Sequence, residues 1–293
     1  MIEEKKENKY SNDNPANAKK NLCLVKIRNV IKIYIYSKPE LKKYYDFTYH
    51  AQEHRLDLIL DECIERVKYG KTYESSKLLP KSTFNDAFQK LNKRGILKKT
   101  YMELLKIYFE KGPNGKLRYR FKDSTCIVNK CGSDKVAYNK HKKRKVTNVS
   151  TETESKGIII FSSTNKGNEH DSKIFIKDLK IDYLVDDDLL ERFSKYYIAD
   201  SGYHSKEIIK NLEERDLVPI IKGNKRNIKD EQKLKELEFT KYEQNIYDKR
   251  FVIESTNSHI KSFKLVQTRM DCKSINFEGS LFIAYMNKVL KHI

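Results

Sequence analysis

The chain has no tryptophan, only five cysteines in 293 residues, and no apolar run near the ~18 residues that would cross a bilayer. The last absence argues against a membrane-spanning segment. The cysteines (Cys23, Cys63, Cys126, Cys131 and Cys272) are odd in number, scattered and without a C-x-x-C pair. That pattern speaks for reduced intracellular thiols rather than a disulfide framework. Cys126 and Cys131 would make half of a zinc site, but no second cluster follows them. Met1 to Lys20 lacks the apolar stretch of a signal peptide. The expectation is an intracellular protein with no membrane partner. The missing tryptophan, beside abundant Lys, Asn, Ile and Tyr, fits an AT-rich genome and carries no chemistry. No internal repeat is visible.

Acidic residues are also in short supply: 41 Asp and Glu face 60 Lys and Arg, for a net charge of +19. Such an excess calls for a polyanionic partner, either nucleic acid or an anionic membrane surface. Hydrophobic residues at 38%, with 11% aromatics, are too many for a disordered chain. The length allows roughly two domains.

Residues 1–20 read as a flexible arm, with almost no apolar anchor. Leu22 to Tyr36 mixes apolar and basic residues, and its periodicity fits helix and strand alike. From His54 to Lys68 the spacing of Leu56, Ile59, Leu60, Cys63, Ile64 and Val67 predicts an amphipathic helix. A second helix opens at Ser82-Thr83, with Phe84, Phe88 and Leu91 on one stripe and Gly95 at its close. A third spans Thr100 to Glu110. Residues 21–112 therefore form a mainly helical unit, closed by the turn signal Gly112-Pro113-Asn114-Gly115. Residues 113–293 change texture. Three β-rich runs (Arg118 to Val128, Lys145 to Thr151, Gly157 to Ser162) precede alternating helices and strands, which predicts a mixed α/β sheet. Asp171 is expected to cap a helix, and Asp186 to Asp188 to start another.

Asp123 falls inside the first strand, and Asp200 at the carboxyl end of a later one, where α/β proteins place ligands. A long helix is expected from Asn245 to about Lys264. At ~100° per residue, Tyr247, Arg250, Glu254 and Lys261 fall within roughly 60° of one another. Val252, Ile253, Thr256, Ile260 and Phe263 make the opposite, apolar face. Periodicity alone reads the polar stripe as an exposed face with an Arg250–Glu254 ion pair. The basic cluster Lys140, Lys142, Lys143, Arg144 and Lys145 is compatible with a DNA-backbone contact, a nuclear-localisation signal or a solvated loop. Lys222, Lys225, Arg226 and Lys229 would extend the same surface. His141, His204 and His259 lack ligand spacing and read as solvated or packed.

The spacing Tyr247-x2-Arg250-x3-Glu254-x6-Lys261 matches the Y-R-E-K signature of insertion-sequence DDE transposases at all four positions. Phe121-Lys122-Asp123-Ser124-Thr125 resembles that family's first aspartate motif, and Asp200-Ser201-Gly202-Tyr203 its second. His170-Asp171-Ser172 is similar to an element between them. Leu79 to Thr83, Phe88 and Gly95-Ile96 resemble the helical segment before the catalytic core. Tyr73 stands near where relatives carry Trp, so an aromatic is kept. The resemblance covers about residues 54–293. The interval from Asp200 to Glu254 is too short for the β-rich insertion of some members, so the resemblance is to a compact branch and does not extend to a hairpin-forming mechanism.

The resemblance implies an RNase H-like fold preceded by a small helical domain with a DNA-binding role. It implies that Asp123, Asp200 and Glu254 hold two Mg²⁺ or Mn²⁺ ions, and that Tyr247, Arg250 and Lys261 contact phosphates of the transposon end. The basic cluster Lys142 to Lys145 then falls to DNA as well. Partners would be double-stranded DNA, as transposon ends and target, and a second copy of the chain in a synaptic complex. Two other functions compete with transposition: a domesticated DNA-binding protein, and an RNase H-fold nuclease. Retention of all three acids disfavours the first, and the Tyr-Arg-Glu-Lys stripe the second.

Overall fold

A computed structural model describes residues 15–45, 56–111, 119–185, 195–223 and 237–293. The ambiguous segment after the N-terminus is helical: α1 runs Pro15–Tyr36. Three of its four isoleucines, Ile27, Ile31 and Ile35, recur every fourth residue and are fully buried on one stripe, while Ile33 is exposed. The helix begins with Pro at its first position, where a missing N–H costs nothing. It thereby takes in residues 15–20 of the expected arm; residues 1–14 lie outside the described residues. The short α2 (Pro39–Tyr45) follows.

Helices α3 (Leu56–Tyr69), α4 (Lys81–Lys93) and α5 (Ile96–Lys111) stand where their periodicity predicts. All six apolar positions expected on α3 are buried. Gly95, at φ +66°, makes the left-handed turn from α4 into α5. Tyr73 packs edge-on against Phe84, ring centroids 5.0 Å apart, with the Arg66 guanidinium 4.1 Å above its ring.

Among the described residues seven strands form one sheet: β1 (Tyr119–Asn129), β2 (Ala137–Asn139), β3 (Arg144–Thr153), β4 (Ile159–Lys166), β5 (Tyr196–Ala199), β6 (Val218–Ile221) and β7 (Thr268–Arg269). The strand order is β2-β3-β1-β5-β6, with β4 also on β3 and β7 on β1. β3 pairs antiparallel with β1 and β4, whereas β5 pairs parallel with β1 and β6. This is the RNase H-like mixed sheet. Beyond the three antiparallel runs and the two later strands read from the sequence, β2 and β7 are additions too short to carry a periodicity.

Helices cover both faces. On one, α6 (Asp171–Asp178) and α7 (Lys206–Glu213) bury Phe175, Ile208 and Leu212 against Tyr197 and Ala199 of β5. On the other, α8 (Lys241–Tyr247) and α9 (Phe251–Lys261) bury Ile246 and Ile253 against Phe121, Ile198 and Ile220. A four-residue helix, α10 (Lys264–Gln267), leads into β7, and α11 (Ser274–Val289) completes the chain's secondary structure.

The N-terminal helices share one apolar core with the sheet domain. Leu60, Phe88, Tyr101 and Leu105 belong to the same buried cluster as Ile159, Phe277, Leu281 and Tyr285. Tyr101 lies 5.6 Å from the Tyr285 ring and donates its hydroxyl to the Ile159 carbonyl at 2.7 Å. A buried ion pair, Arg66–Asp271 at 2.8 Å, fastens α3 to the segment before α11. The expected boundary between residues 112 and 113 lies outside the described residues.

Candidate active site

The pleat of the sheet decides which side chains meet. Alternate residues of a strand face opposite ways, so Asp123 shares a face with Phe121, and Asp200 with Ile198. The register pairs Phe121 with Ile198 and Lys122 with Ala199. The next residue of β1 is Asp123 and the first residue past β5 is Asp200, which brings the two carboxylates near enough to repel, on the face covered by α8 and α9.

The helix carrying the other residues is not the continuous one that uniform periodicity predicts. α8 ends at Tyr247, a 3-10 turn runs Asp248–Arg250, and α9 begins at Phe251. Thr240 caps α8 in a reciprocal pair with Glu243. Glu254 consequently sits in the first turn of α9 and Lys261 at its last residue, each favoured by the helix dipole. Ile253, Thr256, Asn257, Ile260 and Phe263 are buried, and Val252 only half-buried.

Arg250 bridges the acids. One guanidinium nitrogen lies 3.0 Å from Glu254 Oε1 and another 3.6 Å from Asp200 Oδ2. The i,i+4 pair read from periodicity is thus real, and it is only half of what Arg250 does. The Tyr247 hydroxyl donates to Asp200 Oδ1 at 3.5 Å, at the long limit of a hydrogen bond. Asp200 also accepts from the Ser201 amide at 2.6 Å. Its side chain is 49% exposed and that of Glu254 56%, so both open to solvent.

Asp123 is the enclosed member. Burial pushes its carboxyl up to about 6, with Asp200 and Asp171 adding to the rise and Arg250 and the Ser124 amide opposing it. Oδ2 of Asp123 accepts a 2.9 Å hydrogen bond from the Asn257 side chain. Asn257 is a site residue that the Tyr-Arg-Glu-Lys spacing passes over, although it stands one helical turn after Glu254. Lys261 is half-buried close by. Burial lowers its ammonium, Lys142 adds to that, and Cys126 and Asp123 oppose it.

The basic cluster divides. Lys140 to Lys143 turn the β2–β3 hairpin, with Lys143 at φ +50°, while Arg144 and Lys145 already belong to β3. The strand expected from Lys145 begins one residue earlier, because Arg144 pairs with Asn139 as Lys145 does with Tyr138. Lys142, Lys143, Arg144 and Lys145 are all exposed, and Lys142 stands near enough to Lys261 to repel it. Lys222 lies 5.7 Å from the Tyr247 ring. Lys225, Arg226 and Lys229 lie outside the described residues, as do Asp186 to Asp188.

One local expectation is corrected. The cap of α6 is His170, and Asp171 is the first helical residue. Instead of capping, Asp171 Oδ1 accepts a 2.5 Å hydrogen bond from Ser124 Oγ, beside Asp123. His259 packs as expected: burial, then three lysines, holds its imidazole down at about 4. Cys126 and Cys131 are free thiols. Among the described residues no three His, Cys, Asp or Glu side chains converge enough to grip one ion, and no helix is long and apolar enough to cross a membrane.

As a donor set, three carboxylates supply only hard oxygens, the kind that Mg²⁺ and Mn²⁺ prefer over Zn²⁺. Two of them are open to solvent, and the third has one oxygen fixed by Asn257. The residues fit a divalent ion chemically once Arg250 withdraws from between Asp200 and Glu254.

Comparison with known proteins follows the same residues. No curated protein matches the chain. Among solved structures it is similar to a pre-cleavage Mos1 transpososome, at 9% identity over 91% of this chain and 97% of that one, with a TM-score of 0.30. It is also similar to a Mos1 mariner paired end complex with Mn, at 10% identity over 80% and 93%, with a TM-score of 0.25. The family model described as the transposase DDE domain matches residues 118–286. Because that match runs through more than half of the chain and takes in Asp123, Asp200 and Glu254 together, the chain belongs to the transposase DDE domain family.

Proposed function

We propose that this transposase cleaves DNA at the terminal inverted repeats of its element and transfers the freed strand. In this reading Asp123, Asp200 and Glu254 hold two Mg²⁺ or Mn²⁺ ions. The observation that carries the reading is the β1–β5 register, which brings two aspartates from separate segments near each other, with Arg250 tying the second to Glu254. A bound pair of divalent ions activates an attacking hydroxyl and stabilises the leaving oxygen of a phosphodiester.

The protein's own groups do the rest. Asn257 holds one oxygen of Asp123, which leaves the other free to face an ion. Arg250, displaced from its carboxylates, has a planar fork suited to a phosphate. Tyr247 and Lys261 flank it, the lysine acting as a point charge. Lys142, Lys143, Arg144 and Lys145 lie on a hairpin beside Lys261 and meet the DNA backbone. Residues 21–112 serve the DNA as well, from helices whose core is continuous with the catalytic sheet. The working unit is a pair of chains in a synaptic complex, inside the cell where the DNA is.

Strand-transfer assays on the element's ends with Asp123→Asn and Asp200→Asn test the assignment. Both variants should lose cleavage and transfer while still binding DNA. Activity equal to wild type in either would remove that aspartate from the site.

A further inference from the structure

Helix α6 lies on the face of the sheet opposite the site, yet both of its ends are tied to segments that carry the site. At its C-terminal end, buried Asp178 accepts from Lys122 Nζ at 2.7 Å, Ser150 Oγ at 2.7 Å and Ser163 Oγ at 2.6 Å. Those partners sit on β1, β3 and β4, so the helix cannot slide along the sheet. At its N-terminal end, Asp171 Oδ1 takes the Ser124 hydroxyl. Its Oδ2 faces the turn after Asp200, 3.7 Å from where a Cβ on Gly202 would stand. Midway along the helix, the Phe175 ring meets Tyr203 of the same turn edge-on, centroids 6.1 Å apart, and Tyr203 is 1% exposed.

Ser124 is the residue after Asp123, and Gly202 follows Asp200 by two. One carboxylate on an anchored helix therefore hydrogen-bonds the segment that bears Asp123 and faces the turn that follows Asp200. As a first-turn acid Asp171 is favoured by the helix dipole, and its hydrogen bond to Ser124 adds a tie to β1 that the helix start does not require. The N-cap of α6 is His170, whose carbonyl takes the amides of Lys173 and Ile174 at 3.0 Å, and Asp171 is the first helical residue.

We propose that Asp171 is a positioning residue for the reaction: through Ser124 on one side and the Gly202 turn on the other, it sets the separation of Asp123 from Asp200 and hence the affinity for divalent ions. The proposal rests on the reading of Asp123 and Asp200 as metal ligands. Such supporting partners change metal affinity by about 10–100-fold when removed.

The test is Mn²⁺ binding to the full chain without DNA, by calorimetry, beside thermal melting of each variant. Asp171→Ala should weaken Mn²⁺ binding about 10-fold or more. Asp171→Asn, which can still accept from Ser124, should keep most of the affinity. Ser124→Ala breaks the same bond from the other side, and the double variant should be no weaker than Asp171→Ala alone, because contacting residues are not additive. Asp123→Asn serves as the reference loss. If Asp123→Asn loses Mn²⁺ and Asp171→Ala does not, the proposal is overturned and the metal site stands. If Asp123→Asn binds Mn²⁺ like wild type, the metal-site reading falls and the proposal with it. A lower melting temperature with unchanged Mn²⁺ affinity makes Asp171 a structural residue only, which also overturns it. Should Asp171→Ala fail to fold, affinity lost in Ser124→Ala and kept in Asp171→Asn upholds the proposal, and affinity kept in both overturns it.

Discussion

The side-chain amide of Asn257 on α9 donates to Oδ2 of Asp123 on β1 across 2.9 Å, joining the helix to the strand at the enclosed end of the site. Asn257 is itself buried, and its Oδ1 lies 3.5 Å from the Thr151 hydroxyl of β3. Helix, central strand and neighbouring strand thus meet at one amide.

Replacing Asn257 with Leu removes a hydrogen bond to a charged group, worth about 1.5–3 kcal/mol. If that energy is needed to hold Asp123 in place during reaction, cleavage slows roughly 10–100-fold. Single-turnover cleavage of an end fragment at saturating Mg²⁺ measures it. A wild-type rate would show that Asp123 holds its orientation unaided.

Asp123 also sets a pH dependence. Its carboxyl is raised from 3.8 to about 6, chiefly by burial, so the folded protein holds this proton more tightly than the unfolded chain. The associated stability is present below about pH 4 and is lost as pH rises through about 6. Glu154 is raised in the same direction, to about 7, again by burial first. Comparison of wild type with Asp123→Asn cancels Glu154. The variant should gain in melting temperature over wild type between pH 4 and pH 6 and keep the lead above. Curves that stay parallel would contradict the shift.

The β2–β3 hairpin is tested by salt. Each phosphate contact contributes about 0.9 to the slope of log affinity against log salt concentration. Changing Lys142, Lys143, Arg144 and Lys145 to Ala should flatten the slope and weaken binding alike on specific and unrelated DNA. Fluorescence anisotropy over a range of NaCl concentrations gives both. An unchanged slope would return the hairpin to the solvent.

The Arg66–Asp271 pair governs stability rather than chemistry. Both side chains are nearly inaccessible, at 4% and 2% exposure. Asp271→Ala strands a buried guanidinium and should cost about 3–5 kcal/mol in urea unfolding. A cost below about 1 kcal/mol, the range of exposed pairs, would mean that water reaches Arg66.

Much of this arrangement is legible in the residues alone, and the gaps have physical causes. α3, α4 and α5 show because their apolar residues recur at three and four, a period that no strand has. α1 is ambiguous because Ile and Tyr favour strands while their positions favour a helix, and tertiary burial of Ile27, Ile31 and Ile35 decides. The break at Asp248–Arg250 leaves no mark, since it contains neither Gly nor Pro. Asp123, Asp200 and Glu254 were recognisable from family-like spacing, and so was Arg250. Asn257 is not, because its meaning lies in a partner more than forty residues away; Asp171 shows in the family-like His170-Asp171-Ser172 element, but its tie to Ser124 does not, since local rules make it an ordinary helix-start acid. The shared core was hidden for the same reason, because periodicity shows that a face is apolar and not what covers it.

That shared core has a consequence for broken copies of the gene. Tyr101, Phe88 and Leu105 are sealed by residues nearly two hundred positions later, Phe277, Leu281 and Tyr285 among them. A chain stopped before Ser274 leaves α3 to α5 with a bare greasy flank, and a chain started after Lys111 leaves α11 in the same condition. Either piece exposes apolar surface that the intact chain buries, which favours aggregation. Folding of the helical half and of the sheet half is thus one event, completed only when the last helix is made.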